Sequence, residues 1–305
     1  MVEAPARTVR YSKPRAWLLA IRPATLPASV GPVLVGLGVA LGEGTFRPLV
    51  AVASIAVAVL LQVGANLAND VGDFRAGADT ADRLGPPRAA ALGLLSEREL
   101  VVGTAVVLGL AALAGLVLVV HGGPVVLVLG LAAIVAAVTY TAGPWPYGYR
   151  GLGEVAVFAF FGLVAVAGTA YLQLGRWEPL AFAVAVPVGA LVTAILVVNN
   201  LRDVETDRRA GKRTLAVRLG PAAARVEYAA LVGLAYAVPI ALVLAGLAGP
   251  GVLLALLSAP LAGPLVETVL GTPDPRALNA ALRGTARLEL AYSALLAAGL
   301  ALGGR

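Results

Sequence analysis

Long apolar runs alternate with shorter polar segments along the whole chain. A helix needs about 20 mostly apolar residues to cross the roughly 30 Å of hydrocarbon in a bilayer. Nine runs approach this length, which predicts an all-α, polytopic transmembrane helical bundle of about nine helices. The nine runs are residues 24–42, 48–68, 100–120, 124–141, 152–173, 179–200, 228–247, 251–270 and 288–303. No interruption is long enough for a soluble domain, so we predict one membrane domain over residues 1–305.

Basic residues fall almost entirely on one side of this predicted bundle. That side receives the N-terminal segment 1–23 and the loops after spans two, four, six and eight. Only Arg47, Arg176 and Arg305 fall on the other side. Cytoplasmic loops carry the excess of Lys and Arg in membrane proteins. We therefore expect segment 1–23 and the long loops 70–99 and 201–227 to be cytoplasmic.

Composition supports the membrane assignment and excludes several chemistries. Hydrophobic residues make up 59% of the 305 residues and charged residues only 13%, whereas a soluble domain carries about 25% charged residues. The chain has no cysteine and one histidine, His121, which excludes disulfides, thiolate metal sites and cysteine nucleophiles. The net charge of +6 fits attraction to a lipid bilayer. Basic and aromatic residues are not interleaved, so we expect no nucleic-acid partner, and no protein partner is indicated.

The first of two acidic clusters continues the cytoplasmic end of span two. Asn66, Asp70 and Asp73 stand at i, i+4 and i+7, and so share one face of a helix. Carboxylates that converge on one site repel one another unless a cation binds them. Oxygen donors without histidine or cysteine suit a hard ion such as Mg²⁺, which often binds one or two carboxylates together with substrate phosphates.

The second cluster continues span six in the same way. Asn199, Asp203 and Asp207 stand at i, i+4 and i+8, and Arg202 and Lys212 lie close by in sequence. Basic side chains can neutralise the rest of a diphosphate, and the candidates are Arg83, Arg88, Arg202, Lys212 and Arg213. The alternative is that both clusters are solvated loop charges. A charge at mid-membrane costs roughly 2.5–3.5 kcal/mol, so polar residues that extend into the ends of apolar spans indicate a functional role. We therefore favour a carboxylate–Mg²⁺–diphosphate site.

Several motifs together resemble the UbiA-type superfamily of membrane prenyltransferases. Within it, the resemblance is strongest to the 1,4-dihydroxy-2-naphthoate polyprenyltransferases of menaquinone biosynthesis. The matching stretches are residues 22–28, 66–73, 83–86, 140–146, 151–154, 199–207, 210–215 and 285–289. They occur in order and cover the chain from about residue 13 onward. Many members have a third Asp four residues after Asp73; here Gly77 stands there, with Asp79 and Asp82 following, so the later metal-contacting Asp stays open.

The resemblance implies a helical bundle around a central cavity open laterally to lipid, in a bacterial inner membrane. It implies a Mg²⁺-dependent transfer of a polyprenyl group from polyprenyl diphosphate to an aromatic acceptor. The prenyl diphosphate would lose pyrophosphate, the naphthol ring would attack the allylic cation, and the ring carboxylate would leave as CO₂. 4-Hydroxybenzoate and homogentisate remain alternative acceptors, and a membrane transporter is the alternative of another class. Charges confined to one side argue against transport.

The resemblance assigns roles to individual residues. The catalytic residues are Asp70, Asp73, Asp203 and Asp207, and the metal ligands are these four together with Asn66. The substrate-binding residues are Asn66, Asn199, Lys212, Arg83, Arg202, Arg22, Tyr140 and Glu154.

Some of these residues have a structural alternative. Arg83 and Arg202 can equally pair with neighbouring aspartates, and Arg22 can be an interfacial charge. Glu154 is expected to handle the acceptor or to complement a helix dipole.

Overall fold

The computed structural model describes residues 11–77, 84–85 and 87–303, and these residues form helices connected by short turns. The α-helices are α1 (Lys13–Ile21), α2 (Pro27–Gly42), α3 (Pro48–Arg75), α4 (Glu97–Thr139), α5 (Gly153–Val157), α6 (Ala165–Leu174), α7 (Pro179–Arg202), α8 (Val204–Arg209), α9 (Leu215–Leu219), α10 (Pro221–Leu244), α11 (Ala259–Gly271) and α12 (Pro275–Leu302). Three 3₁₀ segments, Pro23–Thr25, Tyr147–Arg150 and Pro250–Ser258, and one π-helical segment, Phe158–Val164, extend or connect them.

Helix α4 is a hairpin of two membrane-spanning arms. Gly123 has φ 70° and ψ −161°, which interrupts the helix just before Pro124. At one end of α4, Glu97 pairs with Arg75 at 2.6 Å. Just beyond its other end, the Thr141 hydroxyl donates to Asn69 at 3.1 Å. Both ends therefore lie beside the last turns of α3, so the chain reverses at Gly123.

The number of membrane spans agrees with the sequence prediction. Seven continuous or composite helices in the described chain are long and apolar enough to cross a bilayer, and the bent pair α1 and α2 supplies an eighth. When the two arms of α4 are counted separately, the described residues contain nine spans. The all-α transmembrane bundle is thus confirmed.

Helix α7 forms the centre of the bundle. In its most apolar stretch, 78% of residues are buried, against 50% or less in the other spans. Its apolar side chains, including Val188 and Leu191, pack against α2, α10 and α12. A helix that is apolar all round is stable only when neighbours or lipid cover every face. The outer spans instead expose leucines such as Leu113 and Leu244, as lipid-facing helices do.

The predicted polar loops contain more helix than expected. Helix α3 continues to Arg75, so Asp70 and Asp73 are helical and buried rather than in the loop 70–99. The segment 201–227 includes α8, α9 and the first turns of α10. An apolar pattern reveals only the part of a helix that lies in the hydrocarbon of the bilayer. Backbone hydrogen bonds continue the helix into the polar residues that follow, so the predicted spans ended too early.

Helix α12 also begins earlier than the predicted start at residue 288. The Asp274 side chain accepts a hydrogen bond from the Arg276 amide, and Pro275 occupies the first helical position. Both are typical helix-start features. Near its other end, α12 meets the 3₁₀ segment Pro250–Ser258, and a Cβ added to Gly299 would lie 1.9 Å from the Gly251 carbonyl oxygen. The two backbones touch there.

Candidate active site

Polar side chains near the C-terminal end of α3 line a large internal cavity, among them Asn66, Asn69 and Asp73. Asn69 and Asp73 are four residues apart and so lie one above the other on the same face. Asp70 is turned from Asn69 by about 100° and from Asp73 by about 60° at 3.6 residues per turn. It is fully buried and does not line the cavity. The sequence predicted a face formed by Asn66, Asp70 and Asp73. In the structure, the face of α3 that lines the cavity is instead centred near Asn69.

Asp73 is the most heavily contacted carboxylate of the site. Its Oδ1 accepts hydrogen bonds from the Tyr149 hydroxyl at 2.7 Å and from Lys212 Nζ at 2.8 Å. Its Oδ2 accepts one from Arg88 Nη2 at 3.0 Å. Two cations and a phenol therefore fix the position of this carboxylate.

Asp70 supports the segment that follows the first cluster. Its Oδ2 accepts a hydrogen bond from the Ala89 amide at 3.3 Å. Its Oδ1 is buried and has no hydrogen-bond partner among the described residues. One carboxylate oxygen directly behind the cavity wall is therefore available to a further ligand.

Asn66 and Arg22 connect the first cluster to the start of α2. The Asn66 amide donates to the Ile21 carbonyl at 2.8 Å and to the Thr25 hydroxyl at 3.0 Å. Arg22 has φ 55°, the one described non-glycine residue with positive φ, and its Nη2 donates to the Asn66 carbonyl at 3.5 Å. Strained backbone at a non-glycine residue occurs where the surrounding structure fixes it, often at functional sites.

The second cluster is organised around a buried arginine. Arg202 Nε donates to Asp203 Oδ1 at 2.8 Å, and its Nη2 donates to Asn199 Oδ1 at 2.9 Å. Its Nη1 reaches Asn279 of α12 at 2.8 Å. The structure thus shows the pairing between Arg202 and Asp203 that the sequence left open. The helix breaks at Asp203, between α7 and α8, yet Asn199, Asp203 and Asp207 all line the cavity as one face.

Tyr140 and Glu154 lie on the same side of the cavity but contribute differently. Tyr140 lines the cavity, and burial, followed by the charge of Glu154, raises the pKa of its phenol well above the usual range. The phenol therefore stays protonated and can donate a hydrogen bond. Glu154 is buried outside the lining, and its Oε1 accepts a hydrogen bond from Asn200 at 2.8 Å. It acts on the cavity through Asn200, which does line it.

The cavity has a volume of about 600 Å³ and joins both clusters to an apolar interior. On α3 its wall extends from Asp73 to Ser54, a distance of about 28 Å at 1.5 Å per residue. That is close to the hydrocarbon thickness of a bilayer. Beyond the polar mouth the wall is apolar and aromatic, and includes Phe160, Phe161 and Trp177. The space suits a long apolar chain with a polyanionic head at the mouth.

The sequence predicted most of the residues at the polar mouth, including Arg88. Asn69, Asn200 and Tyr149 also line the cavity and were not predicted. Asn69 stands at i+3 from Asn66, which was the available signal. Tyr149 is 76 positions from Asp73, the residue that it contacts. The predicted contact Arg83, with Asp79 and Asp82, lies outside the described residues.

The donors at the mouth fit a hard divalent cation that is completed by a substrate. Among the described residues, no three Asp, Glu, His or Cys side chains are close enough to hold a metal ion by themselves. Mg²⁺ does not require such a cage, because it uses one or two carboxylates together with phosphate oxygens and water. Asp73, Asp203 and Asp207 line the mouth and supply carboxylate donors of this kind.

Comparisons with known proteins agree with this geometry. Residues 29–289 match the UbiA prenyltransferase family. A 1,4-dihydroxy-2-naphthoate octaprenyltransferase from Mycobacterium tuberculosis is 42% identical over 94% of this chain and 97% of its own. A solved UbiA homolog from Aeropyrum pernix K1, in its apo form, superposes with a TM-score of 0.65 and 20% identity, over 88% of this chain and 96% of that one. A UbiA homolog from Archaeoglobus fulgidus bound to GPP and Mg²⁺ has a TM-score of 0.61 and 16% identity, over 92% and 99% of the two chains.

Proposed function

Because the chain belongs to the UbiA prenyltransferase family, we propose that it transfers a polyprenyl group from polyprenyl diphosphate to 1,4-dihydroxy-2-naphthoate. The mycobacterial relative carries this activity in its name and is similar over almost its whole length. Prenyl transfer with loss of CO₂ and pyrophosphate would give demethylmenaquinol. The charges of the described cavity are concentrated at one mouth, which favours this enzyme over a transporter.

The observation that carries the proposal is the joining of two polar clusters at the mouth of one deep apolar cavity. Asp73 of α3 and Asp207 beyond α7 both approach Lys212, at 2.8 and 3.8 Å. A diphosphate placed between the clusters meets cations from both sides. Its apolar tail then extends along the interior that runs past Phe161 toward Trp177.

The proposed reaction breaks the carbon–oxygen bond of the prenyl diphosphate, and the electron pair leaves with pyrophosphate. Lys212, Arg88 and Arg202 hold the growing negative charge in a site of low dielectric, where fixed cations act most strongly. The acceptor ring forms the new carbon–carbon bond at the carbon that bears its carboxylate. Release of CO₂ returns an electron pair to the ring, so this route needs no separate base. The apolar walls exclude the water that would quench the cation.

Mg²⁺ is the proposed cofactor, held by oxygens of Asp73, Asp203, Asp207 and Asn66, with Asp70 as a further ligand. When bound, it would supply positive charge that neutralises the diphosphate. Asp73, Asp203, Asp207 and the Asn66 amide would position this charge at the mouth, and Asp70 would support it from behind the cavity wall. The Archaeoglobus fulgidus homolog, which shares the fold, is bound to GPP and Mg²⁺ in its solved structure. Asn199 and Lys212 complete the proposed diphosphate site.

We place the protein in a bacterial cell membrane with the mouth on the cytoplasmic side. The support is the one-sided distribution of Lys and Arg. Substrate synthesis in the cytoplasm would then deliver the diphosphate head and the aromatic acid to the same side.

The test is a product assay with purified protein, Mg²⁺, and a panel of acceptors and prenyl diphosphates of several lengths. We expect prenylated naphthalenediol from 1,4-dihydroxy-2-naphthoate, identified by mass spectrometry as the product that lacks the carboxylate. The panel includes 4-hydroxybenzoate and homogentisate. Turnover with either of these, without turnover of the naphthoate, would overturn the proposed acceptor.

A further inference from the structure

Five cationic side chains line the cavity, and four of them contact other groups of the chain. The five are Arg22, Arg88, Arg202, Lys212 and Arg283. Arg88 and Lys212 bind Asp73, Arg202 binds Asp203, and Arg22 donates to the Asn66 carbonyl. For Arg283, the described part of the chain provides neither a hydrogen bond nor an ion pair. Its charge is therefore available to an anion that enters the cavity.

Arg283 lies one helical turn inside the polar mouth. Asn279, four residues earlier on α12, accepts a hydrogen bond from Arg202 and so belongs to the second cluster. Arg283 is on the same face of α12, about 6 Å farther along the helix axis. A diphosphate held between the clusters directs its first carbon inward, toward this level. In the proposed reaction, the attacking group would occupy the cavity at this level.

An apolar surface adjoins Arg283 in the same cavity. Ala28, Val192, Ile195 and Phe161 pack together with Leu282, the neighbour of Arg283 in sequence. All five line the cavity, and they come from four different segments of the chain. An apolar surface with one unpaired arginine at its edge complements a flat aromatic ring that carries a single anionic group.

We propose that Arg283 binds the carboxylate of the aromatic acceptor while this apolar surface holds the ring. The inference rests on the proposed function and assigns its acceptor subsite. A guanidinium matches a carboxylate by two parallel hydrogen bonds, and so fixes the orientation of the ring as well as its affinity. The carboxylate would point toward α12 and the reacting ring face toward the diphosphate.

The test is Arg283→Gln, which removes the charge while keeping a polar side chain of similar reach. We expect the KM for 1,4-dihydroxy-2-naphthoate to rise by about tenfold to hundredfold, the effect of losing a charge-assisted pair. The KM for the prenyl diphosphate should stay within about twofold of the wild-type value. Arg283→Lys should recover part of the loss. Arg276→Gln, an exposed arginine of the same helix outside the cavity lining, is the matched control and should behave as wild type.

A carboxylate-free analogue separates the acceptor from other anions. 1,4-Naphthalenediol, kept reduced and used as a competitive inhibitor against the naphthoate, should have the same inhibition constant for the wild type and for Arg283→Gln. An unchanged naphthoate KM in an active Arg283→Gln variant would overturn the inference. So would a rise only in the KM for the diphosphate, which would make Arg283 a diphosphate contact. Absence of turnover with the naphthoate in the wild type would instead refute the proposed function itself.

Discussion

The Lys212 ammonium donates a hydrogen bond to the Asp73 carboxylate, with 2.8 Å between Nζ and Oδ1. The two residues are 139 positions apart, and their contact joins the two polar clusters. The same ammonium lies 4.7 Å from the centre of the Tyr149 ring. A diphosphate that binds between the clusters must compete with Asp73 for this cation, so Lys212 is placed to respond when the negative charge of the leaving group grows.

Neutralising one carboxylate of either cluster should impair chemistry. Asp73→Asn and Asp203→Asn preserve shape but remove a charge that orients Arg88 and Lys212, or Arg202. We expect kcat to fall by roughly 100-fold or more for each variant, because these interactions strengthen as pyrophosphate leaves.

Steady-state assays of the purified variants measure this loss. Glu205→Gln is the matched control, since Glu205 is exposed, pairs with Arg208 and lies outside the cavity lining. Near-normal turnover of both Asp73→Asn and Asp203→Asn would contradict a two-cluster mechanism.

Removal of divalent metal should abolish activity. The proposed ligands are carboxylate and amide oxygens, which favour Mg²⁺ and Mn²⁺. Treatment with EDTA should stop turnover, and added Mg²⁺ or Mn²⁺ should restore it. Full turnover in a chelator-treated, metal-free sample would refute the metal site.

The orientation of the mouth can be tested with single cysteines, because the chain has none of its own. Arg209 lies beside the second cluster, and Thr45 lies in the turn between α2 and α3 at the opposite end of the bundle. In intact cells, an impermeant thiol reagent should label Thr45→Cys and leave Arg209→Cys unmodified until the cells are opened. Labelling of Arg209→Cys in sealed cells would reverse the orientation.

The contact between α12 and the 3₁₀ segment Pro250–Ser258 should not tolerate a methyl group. In Gly299→Ala the new Cβ would overlap the Gly251 carbonyl oxygen, so we expect destabilisation of about 1–3 kcal/mol, as for overpacked cores. Gly109→Ala in α4 is the control, since a Cβ there meets nothing within 4 Å. It should be neutral or stabilising by up to about 1 kcal/mol. Thermal unfolding in detergent should rank the two variants in this order.

The hydrophobic pattern predicted the number and kind of spans well because every helix that crosses the bilayer needs about 20 mostly apolar residues. It failed for helical residues that lie outside the hydrocarbon, which do not need to be apolar. The polar last turns of α3 and the charged first half of α12 are helical although they are not apolar enough to be recognised as spans. There the helix is set by buried hydrogen bonds and by the Asp274 cap, which a hydropathy pattern does not reveal.

The second cluster was predicted from spacing alone. Asn199, Asp203 and Asp207 all line the cavity, although the helix breaks at Asp203. Tyr149 was not predicted, because its position beside Asp73 depends on the path of the connection between α4 and α5. Arg283 was not predicted because a charged residue of an amphipathic helix is expected to face solvent. Its place in the cavity lining is visible only in the three-dimensional structure.

The cavity along α3 has a consequence for how the enzyme is supplied. A long prenyl tail is excluded from water, so it reaches an apolar space between membrane-spanning helices only from the lipid phase. The relevant concentration is then the mole fraction of donor among lipids, rather than its amount per volume of solution. Adding donor-free lipid would slow turnover even if the total donor concentration in the sample were held constant. Adding buffer at a fixed ratio of donor to lipid would leave the saturation of the enzyme with donor unchanged.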